Sequence, residues 1–354
     1  MDFKNFFQQY LNFVKRYIPE PRVHSSVGID IGLSTCKMIE VKPKAGSFEI
    51  LRWGIEPFEK DPSENIKAFL AKTQNPYKTP AAAVHGKGTL IRYVEVPRMP
   101  LEELKKSFVY EADKYLPFTF DQVYLDCMVL DPKSKTNKMT VMAAAAKKEI
   151  VDKRIAMLEN AGIKADFITL NPIAMANVIN TLGSLNHVSG LSGLSTDEAA
   201  AIVDIGERVT SVNIVYGGVP HFTRDVFIGG LDFSQHLSNT MGVSLEEAEA
   251  LKCNPGKREE EVAKACESVV LNLISDMRLS FDYFVTEHNI PITKILLAGG
   301  ASLLDGMPEM FKNYLEIDVS RWDFFEYIEM QEELKKDIQK FSGQLGVALG
   351  LALY

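Results

Sequence analysis

The sequence predicts an α/β protein built from two similar lobes, and three observations carry that prediction. A strand–turn–strand pattern occurs twice, as VGIDIGLSTCKMIEV over 27–41 and AAIVDIGERVTSVNIV over 200–215. In each copy an apolar strand meets an Asp-Ile-Gly turn, and a second strand of apolar and β-branched residues follows. The copies lie about half a chain apart in 354 residues, more than a single core of ordinary size accommodates. Elsewhere, short apolar runs alternate with helix-length amphipathic ones, the pattern of mixed α/β layers.

The elements follow in order. Residues 1–22 form an N-terminal unit. Within it Phe3, Phe6, Phe7, Tyr10, Val14 and Tyr17 fall at helical spacing, with Lys4, Lys15 and Arg16 between them and Pro19 and Pro21 as the stop. This amphipathic helix over 1–18 suits packing on its own lobe as well as it suits a membrane surface or a partner. The first lobe spans 23–182: the first hairpin, a strand near Phe48–Ile55, a helix near Ser63–Lys72, and strands at Ala81–Val84 and Leu90–Val96. Pro97 and Pro100 then mark a change. Leu101–Leu116 reads as a helix, VYLDCMVL and MTVMAAAA as strands around the polar turn DPKSKTNK, and Lys148–Ala161 as a helix closed by Gly162. Helix, strand, strand, helix over about 97–165 is a subdomain inserted in the first lobe. After Asn171-Pro172 a helix runs to about Thr181, and the Gly- and Ser-rich stretch 183–197 reads as a surface loop. The second lobe, 183–354, holds the second hairpin, a Gly229-Gly230 turn opening a helix, VSLEEAEALK, a long helix over 261–284, the strand KILLAGG and closing helices. Gly343, Gly346 and Gly350 lie on the tight face of the last of these.

Composition removes several function classes. A net charge of −8 argues against a nucleic-acid coat. Cys36, Cys127, Cys253 and Cys266 are far apart, without a CxxC or a neighbouring His cluster, and read as reduced thiols. No run reaches the 18 or so apolar residues of a membrane span, and MDFKNFFQQY is not a signal-peptide pattern. The expected location is the cytoplasm.

Function is carried by four motifs. In the first hairpin Asp30 sits at the turn and Gly32 relieves it of a Cβ clash, so that Leu33, Ser34 and Thr35 present amides and hydroxyls while Lys37 returns along the second strand. A plain β-hairpin would explain this copy alone. Its repetition with Asp204, Gly206, Glu207 and Thr210 points instead to facing turns that hold phosphates, with one carboxylate from each lobe for Mg²⁺. ILLAGGASLLDGM, 295–307, lets backbone approach a flat base at Gly299, Gly300, Ala301 and Ser302. Glu249 and Lys252 share a helix face, which by itself is an ordinary ion pair of a few tenths of a kcal/mol.

In this order the four motifs resemble the phosphate-1 loop, connecting helix, phosphate-2 loop and adenosine loop of the actin-like ATPases, from about residue 26 onward. The resemblance implies two ribonuclease-H-like lobes with ATP or ADP and Mg²⁺ between them. Asp30 and Asp204 would orient the metal, Gly32–Thr35, Lys37, Gly206, Glu207 and Thr210 the phosphates, and Glu249, Lys252 and Gly299–Ser302 the nucleoside. The insert decides the branch. IRYVEVPRMPLEELKKSFVYEADKYLPFTFDQVYLDCMVL, above all EADKYLPF, resembles the PilM family of type IV pilus assembly, and the insert is also similar to that of the FtsA division proteins. PilM resemblance implies binding of the cytoplasmic N-terminal peptide of PilN at a groove beside the insert, a place in the inner-membrane platform, and peripheral association with the inner membrane. Tyr110, Tyr115, Leu116 and Phe118 are candidate groove residues.

Departures from the pattern bear on chemistry. Arg208 stands where actin has a glycine, and Leu33 replaces a serine. Asn171 occupies the place of an acidic residue that positions water, and an amide is a poor base. The expectation is tight Mg-ATP binding with slow or no hydrolysis. An FtsA-like filament or membrane tether is the competing reading; it expects a C-terminal amphipathic tail, whereas this sequence ends at LALY after a connecting helix. A small-metabolite kinase of the same fold is a third. It would need a general base, for which His85 is the nearest candidate, although a loop or strand-end histidine is the better account of it.

Overall fold

The computed structural model describes residues 24–73, 80–115, 117–130, 137–164, 167–184, 198–217, 219–323, 325 and 328–354. The expected helix over 1–18 lies outside the described residues.

The first lobe opens with β1 (Ser26–Ile31), β2 (Thr35–Lys44) and β3 (Ser47–Pro57), then α1 (Ser63–Ala71) and β4 (Ala81–Val84). β5 (Thr89–Pro97), α2 (Leu101–Tyr115), β6 (Val123–Val129) and β7 (Lys138–Lys147) lead into α3 (Lys148–Asn160), β8 (Phe167–Leu170) and α4 (Asn171–Ser184). The second lobe holds β9 (Ala199–Ile205), β10 (Thr210–Tyr216), β11 (Val219–Val226), α5 (Gly230–Met241), α6 (Leu245–Cys253) and α7 (Glu259–His288). It closes with β12 (Ile292–Ala298), α8 (Met307–Leu315), β13 (Asp318–Arg321), β14 (Glu329–Met330), α9 (Glu332–Ile338) and α10 (Gly346–Ala352).

Sheet order shows the internal repeat directly. One sheet runs β14-β3-β2-β1-β4-β8 and another β11-β10-β9-β12-β13. Setting β14 aside, each has three antiparallel strands from consecutive hairpins, then two parallel ones. β1 and β9 are central and flanked on both faces, which explains their near-continuous apolar sequences. β14 joins β3 at the first sheet's far edge although in sequence it comes after the strands of the second lobe's sheet.

The inserted subdomain differs in extent from the sequence expectation. Its sheet is β5-β7-β6, so it starts at Thr89 and not near 97, because β5 pairs along its whole length with β7. Its last expected element, α3, buries Leu158 with Ile29, Ile31 and Cys36 and so belongs to the core of the first lobe. Periodicity identified both elements; it does not carry the identity of the pairing partner. β8, β11 and β13 have no counterpart in the sequence reading. β8 and β13 have four residues each, and β11 is a half-polar edge strand, VPHFTRDV.

A single apolar core passes through both lobes. It joins Ile39, Val41 and Ala81 to Ile202, Val215, Leu296 and Ala298 by way of α4 and α10. Small residues make this junction. A Cβ on Gly28 would fall 1.9 Å from the Ala348 carbonyl oxygen, and one on Gly350 would fall 1.9 Å from that of Ala174. Gly→Ala inside a helix ordinarily gains about 1 kcal/mol. At Gly350 the overlap is with backbone that cannot rotate away, so the sign reverses. Gly350→Ala is expected to lower unfolding stability by about 2 kcal/mol or more, measured by urea denaturation. An unchanged or raised midpoint would contradict this packing.

Candidate functional site

The two Asp-Ile-Gly turns have the same backbone geometry. The Gly32 amide donates to the Thr35 carbonyl at 3.0 Å, and the Gly206 amide donates to the Val209 carbonyl at 3.0 Å. A side chain at either glycine would press on that same carbonyl, at 3.1 and 2.9 Å. Each turn is braced from behind. The Phe58 amide donates to the Ser34 carbonyl at 2.9 Å, and the first amides of α5, Gly230 and Leu231, donate to the Gly206 and Glu207 carbonyls at 2.8 Å. Gly229 is obligatory there, since a Cβ would meet Glu207 and Arg208 backbone at 2.7 Å.

The turns face each other. Ser34 Oγ donates to Glu207 Oε2 at 2.6 Å across 173 residues of sequence. Behind this contact Lys37 Nζ donates to Asp30 at 3.3 Å. Burial opposes the Lys37 charge, but Asp30 and Asp204 together outweigh it and hold the ammonium above its usual range. For Asp204, burial first and then the Asp30 carboxylate push the carboxyl up to about 7, against a smaller opposing pull from Lys37. Two carboxylates from opposite lobes therefore share one field. Among the described residues no group of three His, Cys, Asp or Glu side chains could hold a metal ion by itself. A pair of carboxylates suits a hard cation that completes its shell with water and ligand oxygens.

Further groups gather at this rim. β1 and β4 run parallel, as do β4 and β8, so Asp30, His85 and Asn171 all lie at the carboxyl ends of neighbouring strands, the usual ligand edge of such a sheet. His85 is half-buried there, and its desolvation lowers its basicity, while Asp30 and Asp225 pull the other way. Asn171 is buried with Oδ1 unpartnered, and Asn213 Nδ2 anchors the start of α4 through the Pro172 carbonyl at 2.9 Å. Asp225, on the strand absent from the sequence reading, accepts from Ser211 Oγ at 2.6 Å, in register with Asp204.

The residues expected on the nucleoside side lie on the other side of the second turn. Lys252 Nζ donates to Glu249 at 2.7 Å and to Ser234 Oγ and the Gly230 carbonyl at 2.9 Å. It thereby ties α6 to the start of α5 and exceeds an ordinary surface ion pair. Ser244 and Glu247 cap α6 reciprocally and fix its approach. Gly299, at φ 85°, crosses directly over the second turn: a Cβ would lie 2.3 Å from the Ile205 carbonyl and 2.6 Å from Asp204 Oδ1. Ala301 closes on Gly230.

Some expected contacts turn away from the cleft. Thr210 is fully buried and its hydroxyl donates to the Ile228 carbonyl at 2.7 Å. Ser302 is buried with its hydroxyl on the Gly299 carbonyl at 2.7 Å. Both hold the loops from within. Leu33 and Arg208 are exposed.

A second concavity, of about 900 Å³, lies between the insert and the first lobe. Its walls are β6 and β7, β8, α3 and α4, with Met128, Ala144, Ile155, Leu170 and Ala176 among the lining residues. Phe118 is not among them. It packs beside Val123 and Ala145 with Lys147 over its ring at 5.5 Å. Leu116 and the side chains of Tyr110 and Tyr115 lie outside the described residues.

Residues 28–354 match the family model described as type IV pilus assembly protein PilM. The chain belongs to that family. A solved PilM-PilN type IV pilus biogenesis complex contains a chain that is 24% identical and superposes with a TM-score of 0.81, over 94% of this chain and 98% of that one. The ethanolamine utilization protein EutJ from Carboxydothermus hydrogenoformans is 16% identical with a TM-score of 0.53, over 98% and 97% of the two chains. EutJ of Escherichia coli (strain K12) is 28% identical over 160 residues, 45% of this chain and 48% of that protein. The matched stretch is thus about half that relative's length. The fold shared with these structures is the actin-like ATPase fold.

The raised Asp204 has a consequence for stability. Its unfolded value is about 3.9 and its folded value about 7, so between these the native state binds more protons than the unfolded chain. Asp204 therefore costs stability progressively as pH rises from about 4 to about 7. Asp204→Asn is expected to be more stable than the parent at pH 8, by roughly 1–3 kcal/mol, with the difference vanishing near pH 4. Urea titrations at several pH values measure this, and a pH-independent difference would contradict it.

Proposed function

We propose that this chain is a nucleotide-responsive actin-like scaffold of type IV pilus assembly. It binds Mg-ATP or Mg-ADP between its lobes and captures the N-terminal peptide of a PilN-like membrane protein in the apolar groove. It works at the cytoplasmic face of the inner membrane. The observation that carries the nucleotide reading is the convergence of two identical glycine turns, and their two carboxylates, on one cleft, with Ser34 touching Glu207.

The residues present fit such a ligand. Glycines at 206, 229 and 299 let the loops' own backbones close on one another where a Cβ would overlap them, and so give the facing turns their shape. Gly32, Leu33, Ser34, Thr35, Gly206 and Glu207 supply the facing turns, and Lys37 supplies charge. A magnesium ion would sit against Asp30 and Asp204, displace the proton that Asp204 holds, and neutralise phosphate charge. Ser234, Glu249, Lys252, Gly299, Gly300 and Ala301 frame the nucleoside side. Thr210 and Ser302 hold the loops in shape. Hydrolysis is slow, because Asn171 cannot accept a proton and burial disfavours charging His85. Nucleotide then acts through differential binding to lobe arrangements.

Calorimetry on the full chain tests the nucleotide site. Magnesium-dependent uptake of ATP and ADP is expected, with affinity at least about tenfold weaker in Lys37→Ala; heat changes indifferent to magnesium would sink the reading. Asn171→Ala should reduce the already slow turnover, and unchanged turnover would remove Asn171 from the mechanism.

The peptide reading rests on the groove and on the similarity to the chain of a PilM-PilN complex. An extended apolar segment fits a groove walled by a β-edge and two helices. Ala144→Arg at the groove wall is expected to weaken capture of a PilN N-terminal peptide at least about tenfold, by fluorescence anisotropy, with nucleotide affinity unchanged. Equal capture by both chains would place the peptide elsewhere.

A further inference from the structure

Among the described residues two buried side-chain polar atoms lack a hydrogen-bond partner, Arg154 Nη1 and Asn171 Oδ1. Asn171 stands at the cleft rim directly after β8. Arg154 comes from α3, one turn before Leu158, which packs on Ile29, Ile31 and Cys36. That packing holds the Arg154 side chain beside the first turn, in the field of Asp30 and Cys36. Asp30 takes its hydrogen bond from Lys37 and not from Arg154. A half-buried guanidinium whose buried Nη1 has an unmet donor is costly, and its planar fork of donors matches phosphoryl oxygens better than any point charge does. The nearby acids do not satisfy it, and the facing turns lie alongside.

We propose that Arg154 is the specificity-determining residue for the terminal phosphate of a bound nucleoside triphosphate. The inference rests on the nucleotide reading above and adds to it the group that tells triphosphate from diphosphate. Lys37 and the turn amides are present for either nucleotide, whereas Arg154 gains its partner only from the triphosphate.

The position of α3 gives this contact a readout. Val151 and Ile155 of the same helix line the apolar groove, on either side of Arg154 in sequence. The other two elements at the rim are shared in the same way: Val84 lines the groove and His85, next in sequence, lies in the field of Asp30, while Leu170 lines the groove next to Asn171 with its unpartnered Oδ1. One wall thus separates terminal phosphate from groove. A change at Arg154 reaches Val151 and Ile155 through a single rigid element.

The test compares Mg-ATP and Mg-ADP affinities of the full chain by calorimetry for the parent, Arg154→Ala and Arg154→Lys, with hydrogen exchange over 148–160 in both nucleotide states. The parent is expected to favour ATP. Arg154→Ala should lose about 10- to 100-fold in ATP affinity while ADP affinity stays within about twofold, and should lose any ATP-specific protection of α3. Arg154→Lys, which keeps the charge without the fork, should fall between and decides the case if the alanine variant does not fold. Equal losses for both nucleotides, or none for either, overturn the assignment and leave the nucleotide reading standing. A parent that takes up neither nucleotide overturns both.

Discussion

The arrangement depends on one constraint, the backbone-to-backbone approach of β1, α10 and α4 at the base of the two lobes. At Gly28 and at Gly350 a single methyl group would lie 1.9 Å from a carbonyl oxygen of the neighbouring element. Ala174 and Ala348 complete the contact from the other side. Asp30 is two residues beyond Gly28 on β1, and Asp204 is in register with Ala298 of β12, whose neighbours in the shared core include α10. Thickening this junction would separate the carboxylates at the mouth. Small residues at the base therefore act on the chemistry at the mouth, through packing that tolerates little adjustment.

What converges at the mouth is electrostatically unfinished. Asp30, Asp204 and Asp225 come from different strands and lobes, and Lys37 is the cation hydrogen-bonded among them. Protonation of Asp204 near neutrality is how the ligand-free chain relieves the excess. A divalent cation would do the same with larger charge, so proton and cation compete for one position. The pH dependence of stability and the binding of a metal at this position would then have a common origin.

Much of this was legible in the sequence, for a physical reason. A turn that needs Gly and a strand buried on both faces leave local signatures, so both hairpins, their glycines and the Gly299-Gly300 turn are legible from residue pattern alone. Long-range partnership leaves none. β5 reads as a strand whether it joins the lobe or the insert, and only the structure shows it on β7. Asp225 was missed because β11 is a half-polar edge strand without alternation to announce it. Arg154 reads as one more charge on an amphipathic helix, and its burial follows from where Leu158 docks. Thr210 and Ser302 had the right chemistry and the right loops, yet side-chain direction set them to brace those loops. Phe118 likewise packs within the insert, while the groove opens on another face.

The two ends of the lobe junction differ in strength, and this bears on how a ligand could act. The base is a continuous apolar core drawn from both sheets. The mouth is bridged by the exposed Ser34–Glu207 hydrogen bond, Tyr93 against Thr223 at 3.2 Å and Lys87 over Phe227 at 5.2 Å. An exposed hydrogen bond contributes about 1 kcal/mol and an exposed cation–π contact about 0.5–1 kcal/mol. A multiply charged ligand with several charge-assisted bonds outweighs these easily, but not the core. Ligand-driven change is thereby confined to the mouth, with the base as hinge. Two of the three mouth contacts involve Lys87 and Tyr93, at or just before β5, so movement of the second lobe pulls on the sheet that walls the groove. The insert is positioned to feel closure of the mouth through these contacts.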